Sequence, residues 1–153
     1  MSDEILIREL DGELLARANQ VYAELAFVPS TLDRDRTFGA FAGDELIGLG
    51  RINAYPDGAL EIGGFWVAPA RRGQGLARRL VERVMAELPP GRRCYCVPFA
   101  HLVDFYRGFG MADVPTDAGS ELPASIRSKI DFCRVREGEG IYDDRVGLLV
   151  FDT

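Results

Sequence analysis

The sequence predicts an α/β (α+β) fold in which a mixed, mostly antiparallel sheet is flanked by helices. Segments with the two-residue period of strands alternate with segments that have the spacing of amphipathic helices, and short turns join the early strands directly. The chain has 153 residues, of which 47% are hydrophobic, and this is enough for one domain with a buried core. Because no linker or internal repeat interrupts it, we expect a single domain over residues 1–153.

Local signals define the elements of the first half. Apolar residues at helical spacing between Leu14 and Leu25 predict a helix. The turns Gly43-Asp44 and Pro56-Asp57-Gly58 connect strands, so that three antiparallel strands come in succession. The predicted elements are, in chain order, a strand at 5–10, a helix at 14–25, a loop or short helix at 27–36, and strands at 37–42, 46–54 and 59–67.

The second half begins with a glycine-rich turn and a well-marked helix. Leu76, Leu80, Val84 and Leu88 recur every four residues, and Pro89-Pro90 ends this helix. Pro123 suits the first turn of a later helix. The predicted elements are a helix at 76–88, a strand at 92–97, a short helix from Leu102 that ends at Gly108 or Gly110, a helix at 122–133 and a strand at 146–151.

Charge and hydropathy exclude several classes of protein. The formal net charge of −6 argues against a nucleic-acid surface, which normally carries a basic excess. No basic and apolar leader stands at the start, and nowhere do 18 apolar residues follow one another. We therefore expect no nucleic-acid partner, no membrane span and a cytoplasmic location.

The cysteines and the histidine do not form a metal-binding pattern. Cys94 and Cys96 alternate on one face of a predicted strand, and Cys133 lies on a predicted helix. A zinc site would need further Cys or His ligands at short spacing, which the single His101 does not supply. The sequence therefore predicts three reduced core cysteines and no metal.

The stretch from Val67 to Leu88 places a strand, a glycine turn and a helix in that order. Free backbone N–H groups then meet at the positive end of the helix dipole, which favours an anion. Five arginines surround this turn and add positive charge: Arg71, Arg72, Arg78, Arg79 and Arg83. The alternatives are that the glycines only make a tight connection and that the last three arginines form a solvated helix face.

Two nucleotide motifs fail at this turn. A Walker A loop needs Gly-Lys-Ser/Thr, whereas Leu76-Ala77 follow Gly75. A dinucleotide fingerprint needs a third glycine where Arg78 stands, and a parallel βαβ start. A third motif, Arg-x-x-Gly-x-Gly/Ala, matches the residues from Arg72 to Ala77.

With this motif and the later segment Phe105-Tyr106-Arg107-Gly108-Phe109-Gly110-Met111, the chain resembles the GNAT superfamily of acetyl-CoA-dependent N-acetyltransferases over nearly its whole length. The resemblance implies a sheet whose central parallel strands, at 59–67 and 92–97, splay apart. It also implies acetyl-CoA as cosubstrate. Phe99, Leu102 and Met111 depart from the family pattern, which leaves the side-chain contacts to acetyl-CoA there unassigned.

The resemblance also implies which residues bind the cosubstrate. The backbone N–H groups of Arg72, Gly73, Gln74, Gly75, Leu76 and Ala77 would hold the pyrophosphate. The pantetheine arm would pair with the backbone near Phe65 and Val67, where Gly63 and Gly64 indicate a bulge in the strand. The alternative is that these two glycines only make room for Trp66.

Two residues match family positions that carry chemistry. Tyr106 matches the general acid that protonates the leaving thiolate, and Glu61 matches a carboxylate that some members use as general base. The alternatives are a packing tyrosine and a solvated glutamate. His101 and Asp104 are interpreted as cap or surface residues.

These observations predict an N-acetyltransferase that moves an acetyl group to a primary amine of a small molecule, peptide or protein by direct attack in a ternary complex. The alternative is a catalytically silent acyl-CoA-binding or sensing module. We expect the stretches 27–36 and 116–145 to shape the acceptor site. Members of this superfamily often form homodimers, and the sequence leaves that assembly open.

Overall fold

A computed structural model describes residues 4–115, 118 and 121–153, so residues 116, 117, 119 and 120 of the predicted acceptor segment lie outside the described residues. The strands are β1 Ile5–Glu9, β2 Asp35–Ala42, β3 Glu45–Ala54, β4 Leu60–Val67, β5 Arg93–Cys96, β6 Ala112–Asp113 and β7 Leu149–Asp152. The helices are α1 Gly12–Glu24, α2 Leu76–Ala86, α3 Val103–Arg107 and α4 Ala124–Gly138.

The strands form one seven-stranded sheet in the order β1-β2-β3-β4-β5-β7-β6. It is mostly antiparallel with one parallel pair, and helices flank it, so the predicted fold class is confirmed. In the antiparallel pair of β1 and β2, Ile5 lies opposite Ala42, and in that of β5 and β7, Cys94 lies opposite Phe151. None of the helices formed by the described residues is long and apolar enough to cross a membrane.

Two compact units can be distinguished: one comprises the chain up to Asn53 with Ile62–Leu88, and the other comprises Ala54–Glu61 with Pro89–Thr153. In the first unit, α1 buries Leu15, Ala18 and Tyr22, and α2 buries Leu76, Leu80, Val81 and Val84. The approach of α2 to β3 is close, because a Cβ on Gly48 would lie 2.8 Å from Leu80 Cδ1. This close packing fixes the position of α2 against β3.

The core of the second unit is built on α4. Ile126 and Ile130 of this helix are buried in one cluster with Tyr95, Leu122 and Leu148. The three cysteines are free and buried, as the sequence predicts. Packing, and not covalent cross-linking, therefore holds α4 in place.

Asp57, in the turn between β3 and β4, caps the N-terminus of α4 from a distance in sequence. Its carboxylate accepts hydrogen bonds from the Ser125 N–H at 3.0 Å and the Ser125 hydroxyl at 2.9 Å. The Ala59 N–H donates at 3.1 Å as well. The N–H of Ser125, followed by that of Ala59, lowers the pKa of Asp57, since hydrogen bonds to the charged form favour it.

We expect Asp57→Ala to lower the denaturant midpoint at neutral pH because the first turn of α4 loses its acceptor. A depressed folded-state pKa contributes stability above the unfolded value of about 3.9, and the contribution is lost as pH falls through the lower folded-state value. The difference in denaturant midpoint between the variant and wild type should therefore become smaller at acid pH. Asp143→Ala, at an exposed position, is the control, and a gap that is the same at every pH would contradict the capping role.

Several helices and strands begin or end at residues other than those predicted from the sequence. The helix predicted to reach Leu88 ends at Ala86, since the N–H groups of Glu87 and Leu88 bond three residues back. Residues 27–34 form no helix, and β2 begins at Asp35. The strand predicted from Val146 begins at Leu149, because Val146 makes only an isolated bridge with Phe99. The two-residue β6 was not predicted and forms by pairing with β7.

Candidate active site

The backbone of β4 leaves regular strand geometry at Gly64. Its φ of 61° lies in the left-handed region, which agrees with the predicted bulge and favours glycine. Tyr22 of α1 donates its hydroxyl to the Gly64 carbonyl at 2.8 Å. A Cβ at this position would lie 2.7 Å from that hydroxyl and 2.9 Å from Arg51 Nε. The irregular point of β4 is therefore fixed by specific contacts.

Arg51 of β3 completes this support. Its guanidinium carbon lies 4.2 Å from the centre of the Tyr22 ring, a cation–π distance. One of its terminal nitrogens donates to the Val28 carbonyl at 2.7 Å and to the Ser30 hydroxyl at 2.9 Å. The loop after α1 is thus tied to the strand that precedes β4, and the predicted acceptor stretch 27–36 is anchored by a buried arginine.

The glycine turn lies in the first unit between β4 and α2. Pro69–Arg71 form one 3-10 turn, and Gly73 and Gly75 follow with φ values of 77° and 81°. Gly75 is the N-cap of α2 and contributes no side-chain cap, so the first N–H groups of the helix remain available to an external acceptor. The residues from Arg72 to Gly75 are exposed, and a Cβ on either glycine would meet no atom within 4 Å.

Leu76 and Ala77 begin α2, and Leu76 is buried in a cluster with Leu80, Ala40 and Ile47. Phe65 and Val67 pack against the same cluster. The Phe65 ring lies over β3, since a Cβ on Gly50 would be 2.5 Å from it. The side chains of Phe65, Val67 and Leu76 thus lie in or against this core cluster.

The arginines around the turn are largely committed to contacts within the first unit. Arg72 donates its Nε to the Val67 carbonyl at 3.0 Å. Arg79 and Arg83 donate to the carbonyls of Ile5 and Ile7 in β1 at 3.2 and 2.8 Å. Arg83 also forms an ion pair with Glu87. Its guanidinium therefore has partners within the protein, and the alternative of a solvated helix face does not describe it.

Glu61 is a buried carboxylate in the second unit. Its side chain is only 2% exposed, which is unlike the solvated glutamate considered as the alternative. The Tyr55 hydroxyl donates to Oε1 at 2.5 Å, and the Lys129 ammonium lies 3.5 Å from Oε2. These two contacts hold the buried carboxylate in a defined orientation.

Tyr106 of α3 is buried as well, and its ring packs edge-on against Phe105 with centroids 5.1 Å apart. Burial raises the pKa of Tyr106 above the ordinary tyrosine range, and the nearby Cys96 adds to this. The phenol therefore keeps its proton throughout the working pH range. Both proposed roles, general acid and packing residue, stay open.

His101 and Asp104 lie on the surface, as predicted. Asp144 accepts hydrogen bonds from the backbone N–H of His101 at 3.0 Å and contacts its Nδ1 at 2.6 Å. Asp104 forms an ion pair with Arg107, which also binds Asp113. These contacts link surface segments of the second unit and leave both residues with structural partners.

Sequence reasoning missed Tyr55 and Lys129 as partners of Glu61. Tyr55 lies six residues before Glu61, across the turn between β3 and β4, where Tyr55 N–H bonds to the Ala59 carbonyl. Lys129 lies 68 residues after Glu61 and its contact depends on how α4 packs. One signal was available, because Lys129 is the single lysine of the chain.

Comparison with known proteins identifies the family. The model described as "Acetyltransferase (GNAT) family" matches residues 4–111. ElaA of Escherichia coli is 24% identical in sequence, with a TM-score of 0.59 over 74% of this chain and 89% of its own. The ribosomal-protein-S18-alanine N-acetyltransferase of the same organism is 15% identical, with a TM-score of 0.63 over 96% of this chain and 91% of its own.

N-acetylglutamate synthase from Neisseria gonorrhoeae, in complex with coenzyme A and L-arginine, has a TM-score of 0.69 at 12% identity, covering 99% of this chain and 34% of its own. At such identities the structural likeness shows the fold alone. No curated protein matches the sequence. Because the family model matches most of the residues, the chain belongs to the GNAT acetyltransferase family.

Proposed function

We propose that the protein transfers the acetyl group of acetyl-CoA to a primary amine of a small molecule, peptide or protein. The observation that carries the proposal is the exposed glycine turn at the N-terminus of α2. Backbone N–H groups that converge at a helix N-terminus bind phosphate groups, and the left-handed Gly73 and Gly75 allow their close approach. The pyrophosphate of acetyl-CoA is the anion that we assign to the N–H groups from Arg72 to Ala77.

The backbone of β4 near Phe65 and Val67 is assigned to the pantetheine arm. Extended ligands pair with the backbone of a strand, and the positive φ of Gly64 is an irregularity in β4 next to Phe65. The N–H near Val67 is assigned to the oxyanion of the tetrahedral intermediate. Tyr22 and Arg51 support this function indirectly because they fix the backbone at Gly64.

The chemistry then requires two proton transfers. Glu61 accepts a proton from the acceptor ammonium, directly or through water, and leaves a neutral amine. The amine nitrogen attacks the acetyl carbonyl carbon, forming the C–N bond, and collapse of the intermediate breaks the C–S bond. Tyr106 donates its phenolic proton to the departing thiolate, and solvent returns a proton to the tyrosine.

The second candidate is a silent acyl-CoA-binding or sensing module. The same turn would hold CoA without turnover. What favours the enzyme is the burial of Glu61 and Tyr106, because each buried polar group costs stability unless it is satisfied, and a simple CoA-binding surface has no use for either. We assign the reaction to the cytoplasm and leave a homodimer as a further expectation.

The function is tested by measuring free-thiol release from acetyl-CoA with a panel of polyamines, amino acids and N-terminal peptides, beside calorimetric binding of CoA. Gly75→Trp places a large side chain in the proposed phosphate site and should weaken CoA binding at least about tenfold, with a matching loss of turnover. Gly140→Trp is the matched control, since Gly140 also has a positive φ and open surroundings but lies after α4.

CoA binding without thiol release for any amine would favour the silent module. CoA affinity of Gly75→Trp within twofold of wild type would remove the turn from the site. Wild-type behaviour of Gly140→Trp together with a loss in Gly75→Trp attributes the loss to position, and not to the backbone strain that both variants share.

A further inference from the structure

Lys129 is the only lysine among the 18 Lys and Arg residues of the chain. It lies on α4, and its ammonium is 3.5 Å from Oε2 of Glu61. An ammonium is a compact point charge on a flexible stem, whereas a guanidinium is broad and planar. The one basic position that is not arginine is therefore the one that places a cation beside the buried carboxylate.

The other oxygen of Glu61 has its own partner. The Tyr55 hydroxyl donates to Oε1 at 2.5 Å, so each carboxylate oxygen faces a different donor from a different segment. The side chain of Lys129 is 23% exposed and that of Glu61 2% exposed. Burial of a charged group costs stability unless partners compensate it, and Glu61 has one such partner at each oxygen.

Two buried thiols also interact electrostatically with Glu61. Cys96 reaches it from β5 and Cys133 from α4, and the pKa of each is raised, first by burial and further by the charge of Glu61. Lys129 acts on both thiols in the opposite direction. Both thiols therefore remain neutral at working pH. Lys129 is the cation that pairs with Glu61, and Arg136 acts on the pKa of Cys133 in the same direction as Lys129.

We propose that Lys129 and Tyr55 are positioning residues that keep the Glu61 carboxylate ionised and oriented for proton transfer. This inference rests on the proposed function of Glu61 as proton acceptor. It assigns α4 a role in the reaction, because this helix carries the counter-ion of the carboxylate.

The test compares pH profiles of kcat/KM for wild type, Lys129→Met, Lys129→Arg and Tyr55→Phe. In Lys129→Met the carboxylate loses its counter-charge and protonates more readily, so the acid limb should move up by about one pH unit and kcat/KM measured on that limb should fall roughly tenfold. Lys129→Arg keeps the positive charge on a broader group and should move the limb back toward its wild-type position. Tyr55→Phe should lower kcat/KM several-fold, with a smaller shift of the limb. Arg127→Met, at an exposed position two residues away on α4, is the control for loss of charge.

A second measurement does not depend on turnover. Because the chain has one lysine, lysine labelled with ¹³C at Cε gives one side-chain NMR signal that needs no assignment. In Glu61→Gln this signal should titrate at lower pH than in wild type, since the buried ammonium has lost its partner. Asp131→Asn, on the same helix, should leave the titration unchanged.

The possible failures are distinguishable. A wild-type protein that binds CoA but acetylates no amine defeats the proposed function, and the positioning role with it. A wild-type enzyme that is active, with a Lys129→Met profile superimposable on its own, overturns only the positioning role. An unshifted lysine signal in Glu61→Gln also overturns it, whereas a raised acid limb recovered by Lys129→Arg supports it.

Discussion

Tyr106→Phe should lower kcat by about a hundredfold, within the usual range for loss of a general acid, while CoA affinity and the melting temperature stay near those of wild type. The substitution keeps the ring that packs against Phe105 and removes only the hydroxyl. Without that proton the thiolate must leave unprotonated or wait for water. Steady-state kinetics with a good amine acceptor and calorimetry with CoA provide the two measurements.

The pH dependence of this variant tests the role of burial. Loss of the tyrosine proton in an ordinary environment would slow the enzyme near pH 10, where tyrosine usually titrates. Because burial raises the pKa of Tyr106, that decline should be absent from the wild-type profile up to about pH 10.5, and the profile of the variant should run parallel to it at a lower rate.

Three results are informative for Tyr106. A wild-type kcat in the phenylalanine variant would make it a packing residue and leave solvent as the proton donor. Loss of CoA binding would make the hydroxyl a cosubstrate contact and strengthen the silent-module alternative. Phe105→Leu is the control for ring packing, and it should affect stability more than the ratio of kcat to CoA affinity.

Glu61→Gln should lower kcat/KM by roughly a hundredfold near neutral pH, because an amide cannot accept the proton of the acceptor. The loss should diminish as pH rises, since a growing fraction of the acceptor is then neutral before it binds. The amide keeps the shape of the carboxylate and can still accept from the Tyr55 hydroxyl. The defect should thus appear in the reaction and not in CoA affinity.

Glu61→Gln leaves the Lys129 ammonium beside a neutral amide, so the stability of this variant must be measured together with its kinetics. Breaking a buried pair by removing one charge is destabilising. The double variant with Lys129→Met removes both charges and should recover stability without recovering activity. If the single variant loses less than about threefold in kcat/KM at every pH, the proton acceptor is a different group.

Local signals account for most of what the sequence predicts correctly. Neighbouring residues determine the segment of β4, the glycine turn and α2. Pro69 starts a turn, Gly73 and Gly75 adopt positive φ, and Leu76 begins the helical spacing. The hairpin of β2 and β3 follows equally from the Gly43-Asp44 turn. Such features depend on few residues, so no knowledge of the rest of the chain is needed.

The parts that could not be predicted depend on distant packing. The contact of Glu61 with Lys129 requires α4 to be docked, and a single lysine on an amphipathic helix otherwise suggests a solvated side chain. The arginines of α2 predicted a positive field, yet Arg79 and Arg83 bind main-chain carbonyls that sequence alone does not place nearby. Charge patterning identifies which residues are basic but not what they bind.

The contacts of Arg79 and Arg83 have a consequence for assembly. β1 is the terminal strand of the sheet, and terminal strands expose carbonyls that can recruit a strand of another molecule and so seed aggregation. Here the carbonyls of Ile5 and Ile7 are already occupied by guanidinium groups from α2. Two carbonyls of this terminal strand are therefore less available to a strand of another copy.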